Sequence, residues 1–260
     1  MDPLILYLME NFDVEFQKYQ KKQENRFQEY FSKNGIKKFK SLKMKDLSHV
    51  IGNTVNSHVE GPAIVKYENG TCYIGNMKNN QRSGFGYRSY TDPNLYYAGE
   101  YENDQKQGKG KLWNVKKQQW VFDGLWGFDK KNGYGELIRD EGKYEGNWVN
   151  DRMSGKGKMT WSNGNCYDGD FIEDIRTGNG TMMFNSGDVY KGEFLNGYFN
   201  GNGIYQWKKG EKYEGNFKNG LMNGKGRIFY DSNSSQIKST MQSTASRNLE
   251  YELNRIDMEY

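Results

Sequence analysis

Seven times in this sequence an aromatic residue is followed by glycine two positions on, and by a bulky side chain two positions after that. The leading aromatics are Tyr73, Tyr97, Phe122, Tyr144, Tyr167, Tyr190 and Tyr213, with successive spacings of 24, 25, 22, 23, 23 and 23. The glycines are Gly75, Gly99, Gly124, Gly146, Gly169, Gly192 and Gly215, and the bulky residues Met77, Tyr101, Trp126, Trp148, Phe171, Phe194 and Phe217. A glycine pair then closes each copy, from Gly84/Gly86 to Gly224/Gly226. Val50, Gly52, Thr54, Gly61, Ala63, Tyr67 and Gly70 fall on the same offsets and form a decayed eighth copy. A steady period of this kind marks an array in which each unit buries its apolar face against its neighbours.

Each unit reads as a β-hairpin. Tyr213, Gly215 and Phe217 are two apart, so in a strand they share one face, and Glu214, Asn216 and Lys218 take the other. Asn219-Gly220 is a strong hairpin turn. In the second strand the pattern places Gly224, Gly226, Ile228 and Tyr230 on the aromatic face, as it does Gly155, Gly157, Met159 and Trp161. Glycine is poor in strands unless something packs on it. Both glycines of the pair are therefore expected to leave room for a ring lying over bare backbone. Asn163-Gly164, Ser186-Gly187 and Lys209-Gly210 turn the chain into the next unit.

This pattern resembles the MORN repeat family: Tyr-x-Gly-x-Trp, then Gly-x-Gly about eleven residues after the Tyr, then a turn glycine. The resemblance is strong over 73–230 and weak over 50–72. The third repeat departs from it, with Phe122 for Tyr, Arg139 where neighbours carry Trp or Phe, and a join from Asn114 to Val121 two residues too long. A bulge or loosened turn is expected there. The resemblance implies a mainly β fold, an elongated, twisted array of antiparallel hairpins that forms a groove. It also implies binding or scaffolding rather than a reaction.

The rest of the chain differs from the array. Residues 1–48 read as a helical segment with a basic linker. Asp2-Pro3 starts a helix, and Leu4, Leu8, Phe12, Phe16 and Tyr19 follow at helical spacing until Asn34-Gly35. The apolar run Leu4–Met9 is too short for a membrane span and lacks the marks of a signal peptide. Lys37, Lys38, Lys40, Lys43 and Lys45 form the densest basic run. It reads as a solvated linker or as a contact for an acidic surface, such as anionic lipid. Residues 49–230 are the array. Residues 231–260 read as a Ser/Thr/Asn/Gln-rich linker and a short C-terminal helix carrying Leu249, Leu253 and Ile256. That helix is expected either to cap the array's open end or to recruit a partner. Cys72 and Cys166 hold the same place in repeats too far apart for a disulfide, which points to a reducing, cytoplasmic compartment.

No catalytic constellation stands out. The two histidines, His49 and His58, have no Cys or second His at ligand spacing. The Gly-x-Gly pairs lack the third glycine and the Gly-Lys-Ser/Thr ending of phosphate loops. The stretch after Tyr230 is too short for the lipid kinase or methyltransferase domains that follow MORN repeats in some proteins. No cofactor, metal, small-molecule substrate or specific nucleic acid is expected. Hydrophobic content is 35% but aromatic content 15%, which fits a one-sided sheet better than a thick core. Its aromatic face should then present a partner groove made of Tyr97, Tyr101, Phe122, Trp126, Tyr144, Trp148, Trp161, Tyr167 and Phe171. The expected function is a non-enzymatic scaffold for protein–protein interaction in a large cytoskeletal assembly. Family resemblance directs attention to a ciliary axoneme, such as a radial spoke. The alternative is a membrane-surface adaptor that binds anionic phospholipid through the lysine run.

Overall fold

The computed structural model describes residues 40–43, 49–69, 71–90, 95–114 and 116–230, and among them there is no helix. The expected N-terminal and C-terminal helices lie outside these residues. The chain divides into two compact units, Met1–Asp92 with Glu102–Asp104, and Pro93–Tyr101 with Gln105–Tyr260. In the first, β1 (Lys40–Lys43), β2 (His49–Val55), β3 (His58–Lys66), β4 (Cys72–Lys78) and β5 (Gln81–Ser89) pair consecutively and antiparallel. Lys40–Lys43, read from the sequence as linker, thus form a strand beside β2. The hairpin β2–β3 is the decayed eighth repeat, with Val50 and Ala63 buried.

The second unit holds β6 (Leu95–Glu102, to Tyr101), β7 (Gln105–Asn114), β8 (Gln119–Gly127), β9 (Lys130–Arg139), β10 (Gly142–Val149) and β11 (Arg152–Trp161). It continues with β12 (Cys166–Ile172), β13 (Ile175–Met183), β14 (Val189–Leu195), β15 (Tyr198–Gln206), β16 (Lys212–Lys218) and β17 (Leu221–Phe229). From β7 onward each strand pairs antiparallel with the next. The long join in the third repeat resolves as anticipated: the register shifts between Leu112 and Trp113, and the Trp113 and Trp120 rings meet edge-on at 5.1 Å.

The hairpin turns carry two residues of positive φ, such as Asn150 (50°) and Asp151 (70°). That backbone matches the right-handed twist of the flanking strands. Just beyond each turn the register slips. Gly146 faces Gly157 but Trp148 faces Met153, so Asn147 lies opposite a bulge. Gly155 sits in that bulge at φ 87° and is exposed, a conformation that side chains with a Cβ rarely adopt. The two glycines of the pair therefore do different work, where the sequence reading gave both to the ring. Only the second, Gly157, lies under Tyr144.

The bulge also explains the tyrosine. Tyr144 Oη donates to the carbonyl of Asn147 at 3.0 Å, beside the slip in register. The same bond recurs from Tyr73 to Asn76, Tyr97 to Glu100, Tyr167 to Asp170, Tyr190 to Glu193 and Tyr213 to Asn216, at 2.8–3.2 Å. Burial pushes the phenols of Tyr73, Tyr144, Tyr167 and Tyr190 well above their ordinary pKa, so they remain donors. Phe122 has the ring but no hydroxyl for the Leu125 carbonyl. Phe122→Tyr should therefore stabilise the protein by about 0.5–1.5 kcal/mol, the net worth of one such bond. Thermal melting measures it, and an unchanged or lower melting temperature would contradict the capping role.

Consecutive hairpins are clipped together at their turns. Asp151 N–H donates to the Lys131 carbonyl at 3.0 Å, and Lys131 N–H donates to Asp151 Oδ1 at 2.9 Å. The reciprocal pair recurs between Val59 and Asn80, Arg82 and Asp104, Lys106 and Asp129, and Met153 and Asp174. In the last two hairpins glycine stands in that place. Gly197 and Gly220 keep the backbone bond, to Arg176 and Phe199.

Candidate functional site

The nine residues expected to form the groove all belong to the second unit. The structure brings eight of them into one row of rings. Each anchor ring meets the bulky ring of its own repeat and that of the next. Tyr144 lies 5.1 Å from Trp148 and 5.3 Å from Phe171, and Tyr167 lies 5.1 Å from Phe171 and 4.9 Å from Phe194, all edge to face. Tyr97, Tyr101, Phe122 and Trp126 continue the row. The indoles are tied down as well, Trp126 Nε1 to the Gly110 carbonyl at 3.0 Å and Trp148 Nε1 to that of Gly135 at 3.2 Å. Trp161 is the ninth and is only half-buried.

The eight rings are no more than 5% exposed. As a binding surface they offer little beyond ring edges, because their faces are used on one another and on the glycine backbone. Lysines cover part of the remainder: Lys106 Nζ lies 4.0 Å from the Trp126 ring centroid and Lys131 Nζ 5.2 Å from that of Trp148. Burial holds the Lys131 ammonium below its ordinary pKa, opposed by Asp151 at 3.6 Å. Such contacts both stabilise the cation and screen the ring.

Apolar area open to solvent lies elsewhere, along the hairpin turns on the opposite face. Val149 follows Trp148 in β10 and so points away from the rings. Ile172 and Leu195 repeat its position one and two periods further on. Ile175, Tyr198 and Leu221, likewise one period apart, stand opposite them, since Ile172 pairs Ile175, Leu195 pairs Tyr198 and Lys218 pairs Leu221. These six side chains are 39–60% exposed. From β10 to β17 at ~4.8 Å per strand, the stripe runs about 34 Å. Sequence reading passed over it because one aliphatic per turn looks like scatter. The signal was the recurrence of Val149, Ile172 and Leu195 at one offset in three consecutive repeats.

Elsewhere on the outward face, lysines pair with carboxylates across strands. Lys111–Asp123 at 2.6 Å, Lys143–Glu136 at 2.9 Å and Lys156–Asp170 at 2.7 Å are exposed ion pairs, each worth about 0–1 kcal/mol. Of the lysine run, Lys37, Lys38 and Lys45 lie outside the described residues. Lys40 and Lys43 are placed in β1 by their backbone. Cys72 and Cys166 are buried free thiols. Among the described residues no group of three or more His, Cys, Asp and Glu side chains is placed to hold a metal ion. None of the described residues forms a helix long and apolar enough to cross a membrane.

A meander of glycine-pinned hairpins that interlock their aromatics defines a β-hairpin repeat scaffold. Comparison with known families gives the class its name. The MORN repeat matches at residues 73–92, 97–115, 122–142, 144–166, 167–189, 190–212 and 213–235, more than half of the chain. The chain belongs to the MORN repeat family. No curated protein matches it. Among solved structures it is similar to the TCP10 domain of Danio rerio CPAP in complex with a peptide of Danio rerio STIL. That match has a TM-score of 0.35 and 10% identity, over 80% of this chain and 99% of that one. It is similar also to the SAS-4 (dCPAP) TCP domain of Drosophila melanogaster in complex with a proline-rich motif of Ana2 (dSTIL). Here the TM-score is 0.21 and the identity 14%, over 74% of this chain and 90% of that one. Both scores lie below the level of a shared fold.

Proposed function

We propose that this protein is a non-enzymatic scaffold that seats a protein partner along its hairpin turns, within a multi-subunit cytoskeletal assembly. The observation that carries this reading is the stripe of Val149, Ile172, Ile175, Leu195, Tyr198 and Leu221, exposed and in register. A contiguous exposed apolar surface rimmed by charge favours association. The repeat supports one kind of partner in particular. Two strands advance the stripe by about 9.6 Å, and seven residues of α-helix rise about 10.5 Å. An amphipathic helix crossing the turns would therefore meet an aliphatic side chain every second turn of its own. The cytoskeletal setting, a ciliary axoneme included, rests on the family resemblance, and imaging of the tagged chain in its native cell tests it.

The test of the scaffold reading is affinity capture from the native cell with the full chain and with Ile172→Ser/Leu195→Ser. Both positions are exposed, so circular dichroism should be unchanged. Recovery of the principal partner should fall about tenfold or more, as it does when central apolar contacts of an interface are lost. Full recovery with this variant would overturn the stripe as the site. Loss on neutralising Lys37, Lys38, Lys40, Lys43 and Lys45, with salt-sensitive pelleting on anionic vesicles, would favour a membrane-surface adaptor instead.

A further inference from the structure

One hairpin turn carries a residue that its backbone disfavours. In the eight described hairpins the first turn residue has a φ of 47–52°. In six of them it is asparagine: Asn56, Asn79, Asn103, Asn150, Asn196 and Asn219. Asparagine tolerates left-handed backbone because its short amide bonds locally. In the turn between β8 and β9 the residue is Phe128, at φ 52°. A bulky side chain in that region is an outlier. The other exception, Glu173, gains an ion pair with Arg152 at 2.8 Å. The Phe128 side chain gains burial neither from the turn nor from the sheet. It is 72% exposed, more than any other large apolar side chain among the described residues. Its N–H donates to Gln107 Oε1 at 3.2 Å, a backbone bond that asparagine could make equally well. Phe128 therefore costs the fold a strained backbone and gives back no packing. Strain kept against local preference gathers at functional sites.

The position of this turn fits the exposed stripe. Gly127 pairs with Lys130 as Val149 pairs with Arg152 one repeat later. At the stripe's own offset, then, this repeat has a glycine and no side chain to offer. Phe128, the next residue, supplies an apolar group in its stead, two strands or about 9.6 Å before Val149. With it the stripe grows from about 34 Å to about 43 Å, the length of about 29 residues of α-helix.

We infer that Phe128 is a partner-binding anchor, set between the apolar side chains of an amphipathic helix that lies along the stripe. The inference rests on the scaffold reading above and names the residue that fixes where the helix ends up along the turns. Exposed aromatics that become buried on association carry a large share of binding energy. The strain at Phe128 is then a stability cost retained for binding.

Three substitutions separate the ring from the backbone. Phe128→Asn should raise the melting temperature by about 2–4 °C, because it restores the residue the turn favours. The same variant should cut recovery of the partner captured through the stripe about tenfold or more. Phe128→Ala should cut recovery as far without the rise in melting temperature, and Phe128→Tyr should leave both unchanged. A p-benzoylphenylalanine photocrosslinker placed at position 128 should join that partner within a helix-forming segment whose apolar residues recur every seventh position. Full recovery with Phe128→Asn or Phe128→Ala, where Ile172→Ser/Leu195→Ser loses the partner, would overturn the role of Phe128 and leave the stripe standing. Full recovery with all of them would overturn the stripe as well. A cross-link to a second copy of this chain, or to a segment without that apolar repeat, would overturn the helix as occupant.

Discussion

Gly157→Val should lower stability by about 1–3 kcal/mol, the usual cost of forcing methyl groups into a filled site. A Cβ at Gly157 would fall 2.6 Å from Cε2 and Cζ of Tyr144, and nearer still to its hydroxyl. The ring cannot simply turn aside. It is wedged between Trp148 and Phe171, and its hydroxyl is bonded to the Asn147 carbonyl. The backbone cannot retreat either, because Gly157 pairs Gly146 on one side and Gly169 on the other. For an array of this size, about 2–4 °C of melting temperature accompany each kcal/mol. Lys156→Val is the matched control. That side chain is exposed, and its pair with Asp170 is a surface contact worth about 0–1 kcal/mol. Equal melting temperatures for the two variants would show that Tyr144 does not depend on bare backbone.

Why the ring lies on Gly157 was legible in the sequence, and why Gly155 must be glycine was not. Strand periodicity places Tyr144, Gly146 and Trp148 on one face, and the structure buries all three. Gly155 and Gly157 are chemically identical and two apart, so periodicity assigned them one role. The bulge that separates them is a backbone event, visible only in φ and register. The clips between turns had a sequence trace, Asn80, Asp104, Asp129, Asp151 and Asp174 at the second turn position, but turn propensity alone explains those residues. The groove residues show the limit of face assignment. Sharing a face with Tyr144 and Trp148 says nothing of whether that face stays open. Rings spaced about 5 Å apart edge to face bury much of one another's surface. The exposed aliphatics were hidden for the converse reason: Val149 and Ile172 sit next to the strongest pattern in the chain and draw no attention on their own.

Trp148→Ala should have the largest effect of any single truncation in the array, about 3–5 kcal/mol. The indole is 2% exposed and touches both sides of a joint between repeats. It lies 5.7 Å from Phe122 of the preceding hairpin and 5.1 Å from Tyr144 of its own, with Lys131 over it. Its Nε1 donates to the Gly135 carbonyl, which truncation would leave without that donor. Later repeats separate the two contributions. Phe171, Phe194 and Phe217 hold the same position with a ring and no N–H, and all are buried. Trp148→Phe should therefore cost only about 0.5–1.5 kcal/mol for the lost bond, plus some packing. In a repeat array stability is carried by each unit and its two neighbours. The Ala variant should thus loosen β9, β10 and β11 first, with faster amide exchange there and little change in β15 and β16. Uniform loosening along the second unit would mean that it unfolds as one body and not repeat by repeat. Equal losses for Ala and Phe would assign the whole effect to the Gly135 bond and deny the ring row its part in joining the hairpins.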